Sequence, residues 1–211
     1  MKNRFIFYLL VLAVVAVAPV KQSMAQKNFT AEADEKFALN KYYDAIELYK
    51  KAYTKVKNKV EKNRILFQIG TCYYLINDMK NAGLNMKRVI KANYPEVEAY
   101  NIYAQSLKIQ GNYEEALVAF NDFKAKYPDD KRADAGVESC KLAISWLDAP
   151  TRYTVEPDKK LNSRNADFAP AYFDKKYKAL VFTTSREEVN GRGEDNWTGL
   201  PFTDLFVTSQ D

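Results

Sequence analysis

Paired carboxylates beside glycines are the residues of this 211-residue sequence that could do chemistry. Glu187-Glu188 and Glu194-Asp195 flank Gly191-Arg-Gly193, and such pairs can transfer protons or hold Ca²⁺. The Asp-x-Asp-x-Asp-Gly spacing of a calcium loop is absent, and no Gly-Lys-Ser/Thr follows the glycines, as a phosphate loop requires. A solvated loop is the alternative that we favour, so we predict no catalytic, cofactor or metal site.

Histidine is missing from the sequence. Its absence removes the most frequent general base, the Ser-His and Cys-His nucleophile pairs and the commonest zinc ligand. Two cysteines are too few for a disulfide scaffold. The composition therefore favours a protein that is not an enzyme.

The first 25 residues have the pattern of a secretory signal peptide. Lys2 and Arg4 precede an apolar run over residues 5–18, and Ser23-Met24-Ala25 matches a signal peptidase site. A membrane anchor is the alternative, but the run is shorter than the ~20 residues that a helix needs to cross a bilayer. We expect an exported mature chain without a transmembrane segment, either periplasmic or associated with the outer membrane.

The charge of the mature chain is nearly balanced. Of the 32 basic residues, three belong to the predicted signal peptide, which leaves 29 basic and 27 acidic residues in the mature chain. Interspersed charges of both signs are typical of a solvated surface, so we expect no nucleic-acid partner.

Three stretches of the sequence align without gaps and define a helical repeat. They begin at Asn40, Asn77 and Gly111. Each stretch carries a small residue, at spacings of 37 and 34 residues, and a large apolar residue one helical turn later. These pairs are Ala45 and Tyr49, Ala82 and Met86, and Ala116 and Phe120.

The pattern resembles tetratricopeptide repeats, which are helix–turn–helix units of about 34 residues. The resemblance covers residues 28–130, and Pro95 and Pro128 follow the second and third units. Gly70 and Ala104 in the preceding helices should let the first helix of a pair approach the second. Since one helix pair cannot bury its apolar face alone, about three stacked pairs are expected. An unrelated helical bundle is the alternative.

One further helix without a second partner is predicted in residues 129–150. We interpret it as the capping helix of the solenoid. Its apolar face is predicted to contain Ala135, Val137, Cys140, Ile144 and Leu147. Cys72 belongs to the second repeat and Cys140 to the cap, so we expect two buried thiols and no disulfide.

After Pro150 the pattern changes to short β runs separated by turns. Strands are predicted in RYTVEP, FAPAYF, KALVFTTS and TDLFVTSQ, with a hairpin at DKKYK and a long loop at 186–202. Residues 161–187 resemble the opening blade of WD40-like propellers of bacterial envelope proteins. The residues that carry this resemblance are Asp167, Pro170, Phe182, Ser185 and Arg186. Because a propeller needs about 4–8 four-stranded blades, the resemblance implies an incomplete propeller and a fragment or truncated gene product.

The leader, the repeats and the segments LNSRNADFAPAYF and DNWTGLPFTDLF together resemble the OmpA-family, PorE-type envelope proteins of Bacteroidetes. The resemblance implies a role with type IX secretion or gliding machinery, and peptidoglycan binding only through a C-terminal domain outside these residues. The predicted fold is α+β and multidomain. It comprises a signal peptide at 1–25, an α-solenoid of about three tetratricopeptide repeats with a capping helix at 26–149, and the first, incomplete blade of a β-propeller at 150–211.

Binding is the function class that remains. A solenoid of this kind curves so that the first helices of its pairs line a concave groove. Helical phase assigns nine residues to this groove: Asp34, Phe37, Arg64, Phe67, Thr71, Tyr74, Asn101, Gln105 and Lys108. Aromatic and polar side chains together suit a peptide or helix of a partner protein. A groove that is merely solvated, or filled by the chain's downstream domains, is the alternative.

Two functional hypotheses follow from these patterns. The first is a periplasmic scaffold that binds envelope proteins through the groove. The second is a propeller-bearing glycan-binding protein or hydrolase whose active domain lies beyond residue 211.

Overall fold

The structure is a computed structural model that describes residues 30–186 and 193–209. The predicted signal peptide and the loop residues Glu187, Glu188 and Gly191 lie outside this described part. The chain divides between Asp148 and Ala149 into two compact units, one helical and one containing the β strands. None of the helices in the described ranges is long and apolar enough to cross a bilayer.

Seven helices follow one another in the described part of the first unit. The first, α1, occupies residues 30–38. The others are α2 (Tyr42–Lys55), α3 (Lys59–Leu75), α4 (Met79–Lys91), α5 (Val97–Ile109), α6 (Tyr113–Lys126) and α7 (Lys131–Asp148). Consecutive helices from α2 onward pack against each other, and α5 also contacts α3 and α7. The odd-numbered helices α3, α5 and α7 therefore form one layer of the unit.

The turn inside each helix pair uses a residue with a left-handed backbone. Asn40, Asn77 and Gly111 have φ angles of 58°, 64° and 81°. The next amide then reaches back to a helix carbonyl, as Asp78 N does to the oxygen of Tyr73 at 2.8 Å. Glycine and asparagine adopt this conformation most readily. The first residue of each aligned stretch is therefore the residue that ends one helix and allows the next to turn back.

The small and large residues of the repeat pack as predicted. All six alanine and large apolar residues of the three pairs are fully buried. A Cβ added at Gly70 would lie 2.9 Å from Cε of Met86 and 3.2 Å from Cβ of Asn85. These distances confirm that α3 closely approaches α4 at the small residue of the second repeat.

The capping helix α7 buries a face that differs in part from the predicted one. Ala133, Gly136, Val137 and Cys140 are buried, at the i, i+3, i+4, i+7 spacing of one helical face. The prediction for Ala135 is wrong, because it lies off that face and is exposed. Leu147 continues the face, but it is 62% exposed because it lies past the residues that α6 covers, so that prediction is also wrong.

Both cysteines are buried free thiols, as predicted. Burial raises the pKa of the Cys72 thiol to about 12 and also raises the pKa of Cys140. The two side chains are therefore neutral at physiological pH and act as small apolar residues.

The second unit contains a three-stranded antiparallel sheet with the order β1-β2-β3. The strands are β1 (Asp167–Tyr172), β2 (Ala179–Thr184) and β3 (Asp204–Ser209). They confirm three of the four predicted strands. The Asp174 carboxylate accepts hydrogen bonds from the amides of Lys178 and Ala179 at 2.8 and 3.0 Å, which closes the predicted hairpin.

The strand predicted for RYTVEP is wrong. Residues 152–157 form no strand, and Tyr153 and Val155 are 68% and 92% exposed. Alternating side chains favour a strand only when a neighbouring strand completes the hydrogen bonds, and none of the described strands pairs with this segment. The three observed strands do not complete a four-stranded blade, so the propeller stays a prediction.

Three of the residues that carry the propeller resemblance, Asp167, Phe182 and Arg186, lie close together at one end of the sheet. Asp167 accepts hydrogen bonds from Oγ1 of Thr184 at 2.6 Å and from Nε of Arg186 at 3.2 Å. The Arg186 guanidinium also lies 5.0 Å from the ring centroid of Phe182. Hydrogen bonds from Thr184, Ser163 and Arg186 hold the pKa of Asp167 well below its usual range. The motif therefore fastens the start of β1 to the end of β2.

Candidate protein-binding groove

Two rows of predicted groove residues lie side by side on α3 and α5. Arg64, Phe67, Thr71 and Tyr74 follow one face of α3, and Asn101, Gln105 and Lys108 follow one face of α5. The two helices contact each other, and α1 adds Asp34 and Phe37. Asn101 is buried and the other eight residues are partly exposed. Most of the groove surface is therefore formed by side chains that lie between core and solvent.

An ion-pair network joins α1 to α3 at one end of the groove. Nη1 and Nη2 of Arg64 donate to the two Asp34 oxygens at 3.0 and 3.1 Å, and Nε donates to Glu61. Tyr49 Oη donates to Oδ1 of Asp34 at 2.5 Å. Hydrogen bonds to Glu61 and then Asp34 raise the pKa of the guanidinium, so Arg64 stays charged. Arg64 thus positions α1 on α3 in addition to its place in the predicted groove.

The aromatic residues of the groove also have packing roles. The Phe67 ring centroid lies 6.1 Å from that of Tyr94, and the Phe37 centroid lies 5.4 Å from that of Tyr42. Phe67 and Tyr74 both pack against the core cluster that contains Met86 and Ile102. These aromatic rings therefore form a half-buried floor of the candidate groove. Their removal would lower the stability of the helical unit.

The polar residues of the groove differ in how well they are satisfied. Thr71 Oγ1 donates to the carbonyl of Phe67 at 2.9 Å, within its own helix. Lys108 Nζ lies 3.2 Å from Oγ of Ser139, so α7 also contributes a side chain that the sequence pattern did not predict. The side-chain amide of Gln105 makes no hydrogen bond to any of the residues in 30–186 and 193–209. Its amide is available to a ligand.

Asn101 has one satisfied and one unsatisfied polar atom. Its Nδ2 donates to Oε1 of Glu98 at 2.7 Å. Its Oδ1 is buried and accepts no hydrogen bond from the described residues. The second Glu98 oxygen accepts from Nη1 of Arg132 at 2.6 Å, which fixes the orientation of Asn101 through α7. An unpaired buried acceptor costs about 1–3 kcal/mol, so this atom requires a donor from water or from a ligand.

The described side chains do not suggest metal chemistry at this surface. Across the described ranges, no group of three or more His, Cys, Asp or Glu side chains is placed to hold a metal ion. Partly buried rings, an unused amide and an unsatisfied carbonyl oxygen are groups that bind peptides.

No family model and no curated protein matches the sequence. The C-terminal TPR-containing domain of an FK506-binding protein of Plasmodium falciparum has a similar structure. Its TM-score is 0.52 at 19% identity, over 61% of this chain and 94% of that one. The helical unit has the tetratricopeptide-repeat fold.

Two further structures share this fold. The Sgt2 TPR domain from Aspergillus fumigatus has a TM-score of 0.50 at 14% identity, and covers 66% of this chain and 91% of that one. The TPR domain of P58(IPK) has a TM-score of 0.52 at 19% identity, over 62% of this chain and 37% of that one. The helix pairs predicted from the alanine spacing are therefore tetratricopeptide repeats in structure.

Proposed function

We propose that the tetratricopeptide-repeat unit is a non-enzymatic scaffold that binds an extended segment of a partner protein in the groove. The observation that carries this proposal is the buried, unsatisfied Oδ1 of Asn101. A backbone N–H of a bound peptide is a suitable donor for this oxygen, and a shift of the side chains around it would open it to the peptide. The neighbouring Gln105 can bond to the same peptide, while Phe67 and Tyr74 provide apolar contact.

The proposal predicts that Asn101→Ala weakens peptide binding without weakening the fold. We would select peptides on the wild-type protein from a random library displayed on phage and measure the Kd of the best binder. Asn101→Ala should raise that Kd about tenfold, because a hydrogen bond to a buried group contributes about 1–2 kcal/mol. Its stability should stay near wild type, because removal of the unsatisfied acceptor offsets the loss of the hydrogen bond to Glu98.

A matched control is Asn121→Ala on the exposed face of α6, whose Nδ2 bonds only to the Leu117 carbonyl. The Asn121→Ala variant should keep the wild-type Kd. An unchanged Kd for Asn101→Ala, or an equal loss for both variants, would remove the groove as the binding site.

The cellular setting that we propose is the envelope of a bacterium, with partners in type IX secretion or gliding machinery. The basic and apolar leader and the resemblance to OmpA-family, PorE-type proteins support this setting. In that setting the mature protein begins at Gln26 and is recovered from envelope fractions. Mass spectrometry of the native protein tests this, and a cytosolic protein that retains Met1 would contradict it.

A further inference from the structure

A second cleft opens on the opposite face of α3 from the groove. Leu66 and Ile69 line its floor with Tyr73, about half a turn around the helix from the groove residues. Its other walls come from α2 and α4, and its volume is about 300 Å³. These wall residues are Lys50, Tyr53, Thr54, Asn81, Asn85 and Arg88. We call it the outer cleft.

Two cations lie on one aromatic ring of the outer cleft. Nζ of Lys62 lies 4.9 Å from the ring centroid of Tyr53, and Cζ of Arg88 lies 5.6 Å from it. Nη2 of Arg88 also donates to Tyr53 Oη at 3.1 Å. Neither Lys62 nor Arg88 forms an ion pair with a carboxylate of the described residues. The Tyr53 ring therefore contacts two positively charged groups that no carboxylate of the described residues neutralises.

The carboxylates near the outer cleft are already engaged. Glu47 pairs with Nζ of Lys50 at 2.9 Å, and that Nζ lies 5.6 Å from the Tyr73 ring centroid. Asp78 accepts from the backbone N and Nδ2 of Asn81 at 3.1 and 2.7 Å, which caps the start of α4. Neither carboxylate compensates Lys62 or Arg88, so the cleft has an excess of positive charge.

We propose that the outer cleft binds an acidic segment of a partner protein, with an apolar side chain over Leu66 and Ile69 and adjacent carboxylates against Arg88 and Lys62. Charge complementarity selects the acidic partner, and the pre-positioned guanidinium suits a carboxylate. The apolar floor and the aromatic walls select a peptide over a free anion, because they bury a side chain beside the charge. A cleft of this volume has room for about one aromatic side chain.

The test uses a fluorescein-labelled synthetic peptide of alternating glutamate and phenylalanine, with fluorescence anisotropy as the readout on the full chain. Wild-type protein should bind it, and the same peptide with glutamine for glutamate should bind about tenfold more weakly. The double variant Lys62→Gln/Arg88→Gln should lose a similar factor. Arg88 is exposed and Lys62 is partly exposed, so the fold should persist, which far-UV circular dichroism would verify.

The matched control is Lys51→Gln/Lys87→Gln. These exposed lysines neighbour the cleft residues Lys50 and Arg88 in sequence but do not line the outer cleft, and the change in net charge is the same. The control should bind the peptide as the wild type does, and so should Asn101→Ala in the groove. Equal losses in both double variants would mean non-specific charge attraction. Loss in Asn101→Ala alone would place the peptide in the groove, and no binding to wild type would also overturn the proposal.

Discussion

Gly136→Ala is expected to lower the free energy of unfolding of the helical unit by about 3 kcal/mol, at the upper end for overpacking a core. A Cβ at this position would lie 2.2, 2.3 and 2.6 Å from Cδ1, Cε1 and Cγ of Phe120. The Phe120 ring is fully buried and lies in a close-packed cluster, so it cannot move aside. The substitution must therefore separate α7 from α6.

Urea denaturation followed by far-UV circular dichroism measures this change. Gly83→Ala on α4 is the control, since its Cβ would lie 3.3 Å from Cβ of Ser106, where a shift of a few tenths of an ångström suffices. We expect that control to change stability by less than about 1 kcal/mol, because alanine also favours the helix. Adding Phe120→Leu to Gly136→Ala should recover part of the loss. A wild-type urea midpoint for Gly136→Ala would contradict the observed packing of the cap.

Tyr49→Ala is expected to lower the free energy of unfolding by about 4 kcal/mol, as removal of a buried aromatic ring usually does. Tyr49 is fully buried on α2 and packs in the cluster that contains Ile65 and Ile69 of α3. Its loss would leave a cavity between the first and second repeats. Thermal and urea unfolding should both report the change.

Tyr49→Phe separates the ring from the hydroxyl. It keeps the packing and removes the hydrogen bond to Asp34, which still pairs with Arg64. We expect a loss of about 1.5–3 kcal/mol, the usual effect for a hydrogen bond to a charged group. If Tyr49→Phe were as unstable as Tyr49→Ala, the hydroxyl and not the ring would determine the stability of this seam.

The residues that sequence analysis predicted well are those whose role is determined within one or two helical turns. Ala82 and Met86 are four residues apart, and their period alone places both in the core. The turn residues Asn77 and Gly111 are also recognisable locally, because few residues adopt a left-handed backbone. The repeats could therefore be assigned from the sequence.

The details of the groove could not be predicted, because they depend on contacts between repeats. Helical phase gives the direction of Phe67, but Tyr94 of the α4–α5 connection covers its ring. The pairing of Arg132 with Glu98 spans 34 residues, and many other charged residues were equally available to each. RYTVEP failed for a related reason, since a strand depends on a neighbour that local alternation does not reveal.

The unequal spacing of the repeats has a consequence for how a ligand is oriented. α3 has 17 residues and α5 has 13. Leu66 and Tyr100 each lie nine residues before the end of their helix, so aligning these two residues places the additional residues at the start of α3. At 1.5 Å per residue, this extra turn raises one wall of the groove by about 6 Å, and it carries Glu61 at its rim. The two rims of the groove therefore differ in height and in charge, so a peptide would make different contacts in the two opposite directions. We therefore expect a partner peptide bound in the groove to lie in one N-to-C direction only.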